Sequence, residues 1–193
     1  MRVAARRSSR APRSVRTRAD TERALQPLLR ATELVDAGAG RHLEQVGRYA
    51  GLAARALGFD EIRCRAIASA CRLHDIGKLG VPDEILLKPA ALTDPERKLM
   101  ERHSTIGHRI LADSGTAILD LAACVALTHH EWYDGRGYPQ GLSSDEIPLV
   151  GRIAAVADAF DALTSDRVYR PALTHEEAAR ILREAAGSQF DPE

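Results

Sequence analysis

Disulfides, membrane spans and β-strands are what this chain has least material for. Its three cysteines, an odd number at wide spacing, make no disulfide framework. Cys64 and Cys71 fall on one helical face and read as free core thiols rather than ligands. No apolar run approaches the roughly 20 residues that cross a bilayer, and the N-terminus lacks the apolar segment of a secretory signal. The cytoplasm is therefore the expected compartment. Alternation of apolar and polar residues is nowhere sustained, which argues against sheet, and no segment repeats. Aromatic residues make up only 4% of the chain, so the place where they cluster becomes informative.

What remains suits one helical domain, since 193 residues with 45% hydrophobic content can bury a core. Equal numbers of basic and acidic side chains, 27 of each, conceal a division. Residues 1–20 hold Arg2, Arg6, Arg7, Arg10, Arg13, Arg16 and Arg18 against Asp20 alone, and the remainder is correspondingly acidic. Such a basic tail of low hydrophobicity is expected to be disordered. Without interleaved aromatics for stacking, it reads as a solvated extension rather than a nucleic-acid arm.

Residues 21–193 read as helix after helix, an all-α bundle of six to seven. The first is expected over 21–36, with Ala24, Leu28, Ala31 and Val35 on one face and Pro27 near its first turn. A second carries Leu43, Val46, Ala50 and Leu57, with His42 beside its first turn and Gly58 at its end. Asp60 caps a third, whose stripe of Ile62, Ala66, Ile67, Ala70 and Cys71 runs on to His74. Thr93-Asp-Pro-Glu opens a fourth, in which His103 joins Leu99, Ile106 and Ile110. A fifth leads from Ile118, Leu121, Ala122 and Val125 to His129 and His130. A sixth bears Val150, Ile153, Ala154 and Ala157 with Asp158 and Asp161, and a seventh runs from Thr174 to about Ala186.

Five of these helices thus carry a His or Asp on or next to the apolar face. One such residue would be read as a core histidine bonded to a carbonyl. Burying several imidazoles and carboxylates without partners costs a few kcal/mol each, and metal ions satisfy them together. Nitrogen and carboxylate donors with no cysteine suit iron, manganese, zinc or nickel, and the ligands exceed what one ion needs. Two divalent ions are expected. Residues 131–142, Glu-Trp-Tyr-Asp-Gly-Arg-Gly-Tyr-Pro-Gln-Gly-Leu, form a tightly turned loop directly after the paired histidines. Trp132, Tyr133 and Tyr138 offer ring faces to a purine and Arg136 offers charge.

His42, His74-Asp75-Ile-Gly-Lys78, His103, His129-His130-Glu131, Asp134-Gly-Arg-Gly137-Tyr138-Pro139 and Asp158-Ala-Phe-Asp161 through Arg167-Val-Tyr-Arg170 stand in the order of the HD-GYP domain, which this chain resembles over about residues 33–192. That domain is a subgroup of the HD metal-dependent phosphohydrolases. The resemblance implies an all-helical fold, a di- or trinuclear centre usually of iron or manganese, a bacterial source, and hydrolysis of the second messenger cyclic di-GMP. Carried over residue by residue, it makes His42, His74, Asp75, His103, His129, His130 and Asp158 the metal ligands, with Asp75 bridging two ions and also catalytic. Lys78 is placed by a phosphate. Asp161, Arg167 and Arg170 match positions that grip phosphates and guanine, while Arg136, Gly137, Tyr138 and Pro139 belong to the signature loop.

The chain departs from that pattern at Gly38, where some members have a glutamate for a third metal, and at Asp83, where some have a histidine. It also stops at Phe190-Asp-Pro-Glu193, where the family normally continues with a further helix. A two-metal site follows from Gly38. The expected reaction is in-line attack of water on phosphorus, with Lys78 and Arg167 balancing charge, to give linear pGpG and then GMP. Alternatives are an HD phosphohydrolase for another cyclic dinucleotide or nucleotide, a module that senses cyclic di-GMP or docks a signalling protein through the Gly-Tyr-Pro loop, and a metal-stabilised structural domain. A homodimer is compatible with any of these.

Overall fold

The computed structural model describes residues 18–35, 39–166 and 171–193. The expectations placed on the tail up to residue 17, on Gly38, and on Arg167 and Arg170 lie outside them. The described chain is all helical: α1 (Arg18–Val35), α2 (Ala39–Ala56), α3 (Glu61–Cys71), α4 (Asp83–Leu86), α5 (Asp94–Glu101), α6 (His103–Leu111), α7 (Ala117–Thr128), α8 (Leu149–Thr164) and α9 (His175–Glu184). Two 3-10 turns, Ile76–Gly80 and Ser144–Glu146, sit between them. The only extended pairings among the described residues are the isolated bridges Asp134–Ser143 and Ala186–Phe190. No described helix is long and apolar enough to cross a membrane.

Helices α2, α3, α7 and α8 pack around one another, with α6 against α7 and α9 against α8. Their shared core includes Leu43, Val46, Ala50, Cys64, Ile67, Cys71, Leu73, Ile76, Val125, Ile153 and Ala157, all buried. Each large apolar side chain so buried contributes about 1.5–3 kcal/mol relative to exposure. Small residues let helices approach closely, as at Gly51 beside Ala68 and Gly107 beside Ala126.

Several expected boundaries move. α1 begins at Arg18, inside the stretch expected to be disordered, so Pro27 is interior to the helix rather than near its first turn. Among the side chains described in it, Leu25, Leu29 and Thr32 are buried, while Leu28 and Ala31 of the expected stripe are partly buried. The expected fourth helix is two, α5 and α6, because the chain breaks at Arg102. With the short α4, that raises seven expected helices to nine among the described residues. Leu57, Ile62, Leu99 and Ile110 are exposed, so their stripes mark a direction and not a depth. The capping boxes of α5 at Thr93–Glu96 and of α9 at Thr174–Glu177 both form, each tying a helix start through reciprocal bonds.

Candidate metal centre

The chain brings its histidines together at helix ends rather than along helix faces. α3 stops at Cys71, and successive bonds from Leu73 N–H to the Ala70 carbonyl and from His74 N–H to the Cys71 carbonyl turn the chain into the Ile76–Gly80 segment. His74 and Asp75 project from that turn. His103 is the first residue of α6, His129 caps the C-terminus of α7, and His130 follows it. α2 supplies His42 and α8 supplies Asp158. The turn lies tight on α6: a Cβ at Gly77 would come 1.8 Å from the His103 carbonyl oxygen and 2.5 Å from Gly107 N. Glycine there is what lets Asp75 approach His103.

Two sets of donor atoms result, each lying within 4.8 Å: Asp75, His103, His129 and His130 in one, His42, His74 and Asp158 in the other. Asp75 stands between them. Its Oδ1 is 3.4 Å from His103 Nε2 and 3.8 Å from His129 Nε2, while its Oδ2 is 3.3 Å from His74 Nε2. In the second set, Asp158 Oδ1 is 3.5 Å from His42 Nε2 and 3.9 Å from His74 Nε2. Lys78 Nζ also reaches Asp75 Oδ2, at 2.7 Å.

The rings are oriented from behind. His74 Nδ1 bonds the Cys71 carbonyl and His103 Nδ1 the Met100 carbonyl, both at 2.8 Å. His129 Nδ1 bonds the Val125 and Ala126 carbonyls, both at 3.1 Å. An imidazole that donates from Nδ1 to a carbonyl keeps the Nε2 lone pair for a ligand, the usual arrangement behind a metal-binding histidine. His74 Nε2 is moreover buried with no hydrogen-bond partner. Imidazole nitrogens and carboxylate oxygens of this number fit borderline divalent metals such as iron, manganese, zinc or nickel. The residues present therefore fit a metal centre.

Electrostatics divide the histidines. Burial, reinforced by neighbouring imidazoles, holds His129 well below the usual imidazole range and His130 at about 3. Burial lowers His103 as well. For His74 burial also disfavours charge, but the adjoining Asp75 and Asp158 outweigh it and raise the group to about 9. Burial of Asp75 is likewise overcome, by His74 and Lys78, so its carboxyl stays well below the carboxylate range. His103, His129 and His130 thus face the Asp75 carboxylate as neutral nitrogen donors, while His74 holds a proton that a bound cation would displace.

Asp161, only 2% exposed, places Oδ2 2.7 Å from His42 Nδ1 and takes a bond from Ser165 Oγ on its other oxygen. It orients His42 as the carbonyls orient the other rings. Asp83, at the first turn of α4, is exposed and belongs to neither donor set.

The loop after His130 is built against the centre. Tyr138 stacks on His130, with ring centroids 4.7 Å apart at 28°, and its N–H donates to the His130 carbonyl. Burial and the charges of Glu101 and Asp75 push its phenol above the usual range. A Cβ at Gly137 would lie 2.2 Å from Trp132 N, so only glycine permits this fold-back. Pro139 follows, half-buried. Arg136 stays exposed, paired with Asp134 at 2.6 Å and 5.6 Å above the Trp132 ring. Glu131, to which the sequence pattern assigns no role, is buried and accepts bonds from Gln140 N–H at 2.7 Å and Leu142 N–H at 3.0 Å. An acid placed between two histidines and a glycine-rich loop was the signal for it.

A family model described as an HD domain matches residues 21–193. Cyclic di-GMP phosphodiesterase of Thermotoga maritima is 47% identical over 169 residues, 88% of this chain and 46% of that protein. The cyclic di-GMP phosphodiesterase response regulator RpfG of Xanthomonas campestris is 46% identical, over 87% of this chain and 44% of its own length. 3′3′-cGAMP-specific phosphodiesterase 2 of Vibrio cholerae is 39% identical over 86% of this chain and 32% of its own. The chain thus spans less than half the length of these relatives. In fold it resembles the crystal structure of a cyclic GMP-AMP-specific phosphodiesterase of Vibrio cholerae, with a TM-score of 0.65 at 18% identity, covering 89% of this chain and 46% of that one.

Proposed function

This chain belongs to the HD-domain family, and we propose that it is a metal-dependent phosphodiesterase that hydrolyses cyclic di-GMP to linear pGpG in the bacterial cytoplasm. The observation that carries the reading is the Asp75 carboxylate, one oxygen of which faces each histidine set. His103, His129 and His130 would hold one ion, His42, His74 and Asp158 a second, and Asp75 both. Iron or manganese is the expected metal. When bound, divalent ions supply Lewis acidity toward phosphoryl oxygens and acidify an attacking water.

The protein side of the reaction follows from the residues around that centre. Nδ1 bonds fix the ring planes before substrate arrives, so little reorganisation is needed at the moment of reaction. Lys78, on Asp75 at the margin of the centre, holds positive charge where a phosphate would enter. Tyr138, backed by His130, presents a ring at the mouth of the site for a guanine to meet. Arg136 is exposed on the same loop, available to the nucleotide or to a docking signalling protein. Arg167 and Arg170, expected to grip the phosphates and guanine, lie outside the described residues.

A second reading, hydrolysis of 3′3′-cGAMP, is favoured by relatives named for that specificity at 39% and 40% identity. Cleavage of both dinucleotides by anaerobically purified protein loaded with Fe(II) or Mn(II) separates the two. Preference for cyclic di-GMP supports the proposal, and preference for 3′3′-cGAMP replaces it.

A further inference from the structure

The loop that carries Tyr138 is secured by a segment more than fifty residues later in the chain. After α9 the backbone turns back on itself, with Gln189 and Phe190 N–H both bonding the Ala185 carbonyl and the Phe190 ring buried at 6% exposure. That turn presents two carbonyls to the stem of the loop: Asp134 N–H donates to Ser188 at 2.9 Å and Tyr133 N–H to Gln189 at 3.2 Å. On its other side the stem is closed by Ser144 N–H on the Tyr133 carbonyl at 2.8 Å. The stem is therefore held between two flanking segments.

Arg152 ties these parts to α8. From the first turn of that helix its Nη1 bonds Asp191 at 2.6 Å and Asp145 at 3.1 Å. Arg152 and Asp191 are mostly shielded, with side chains 16% and 13% exposed, whereas Asp145 is 90% exposed. A shielded pair constrains geometry more than a solvated one, because a charge left without its partner there is poorly solvated. The same helix bears Asp158 and Asp161.

We propose that Asp191 and Arg152 are positioning residues: their ion pair latches the segment 188–191 onto the stem and so fixes the distance between the Tyr138 loop and the donor residues of α8. Neither touches the reacting atoms. The inference rests on the reading of this loop as the nucleotide-contact surface.

The chain's single tryptophan, Trp132, lies half-buried in the stem between latch and site, and so reports on the loop without any substrate. In the full chain loaded with Mn(II), Asp191→Asn is expected to raise acrylamide quenching of Trp132 about two-fold as the stem loosens. It is also expected to raise KM for cyclic di-GMP roughly 5- to 10-fold, with kcat and metal content near wild type. Asp191→Glu should restore most of both, and Asp145→Asn should change neither. If Asp191→Asn does not fold, Arg152→Lys carries the same comparison. Unchanged quenching, unchanged KM, or a loss confined to melting temperature and metal content overturns the latch. A wild-type protein that cleaves no cyclic dinucleotide, while Asp191→Asn still loosens Trp132, overturns the functional reading and leaves the latch standing.

Discussion

Asp161 Oδ2 lies 2.7 Å from His42 Nδ1, so the His42 ring is held between this buried carboxylate and Asp158, 3.5 Å from its Nε2. A carboxylate behind a histidine fixes the tautomer and strengthens the imidazole as a donor. Asp161→Asn is expected to weaken metal binding at the His42, His74 and Asp158 set by about 10- to 100-fold, leaving the other set loaded. Metal titration by calorimetry reads both sets. A variant with normal affinity and a raised KM would return Asp161 to the substrate.

Glu131 supports the loop from within. Its two oxygens each accept one backbone N–H, a task that the single carbonyl oxygen of glutamine cannot complete. Glu131→Gln should cost about 1–3 kcal/mol through one buried donor left unpaired. Hydrogen exchange should quicken at Leu142 or Gln140 before it does in α7.

Gly77 sets the approach of the His74–Asp75 turn to α6. Since a Cβ would overlap the His103 carbonyl, Gly77→Ala should destabilise by about 1–3 kcal/mol. It should also separate Asp75 from His103, so metal loading should fall along with the melting temperature. Thermal unfolding with and without Mn(II) tests this, because the variant should gain less from the metal than wild type.

Glu96 provides a pH dependence remote from the centre. Bonds from Lys88 and from Thr93 lower its carboxyl from 4.5 to about 2. A depressed carboxyl contributes stability above its unfolded value and loses it as pH falls toward the folded one. The loss should therefore begin below about 4.5 and be complete near 2. In Glu96→Gln that component of the acid titration should be missing, while the titration at the metal centre persists.

Much of this architecture was legible in advance, and the exceptions have physical causes. Capping signals at Asp60 and Thr93 located helix starts, because a cap is a local bond between neighbours. The break at Arg102 carried no glycine or proline to announce it, and the spacing of His103 from Leu99 fits one helix as well as two. Periodicity found Leu99 and Ile110 but not their exposure, which depends on whether another helix covers them. Asp158 and Asp161 share a helical face by spacing, yet only packing against α2 decides that one faces His42 Nε2 and the other His42 Nδ1. The stem contacts of Ser188 and Gln189 use backbone carbonyls, which side-chain patterns do not encode.

The central claim is that Asp75 joins two ligand sets into one hydrolytic centre. Metal content and cyclic di-GMP turnover, measured together on anaerobically prepared wild type and Asp75→Ala, test it most directly. The account predicts about two ions per wild-type chain, and loss of both metal and turnover in the variant. A variant that retains both ions, or that hydrolyses cyclic di-GMP at the wild-type rate without them, would contradict it.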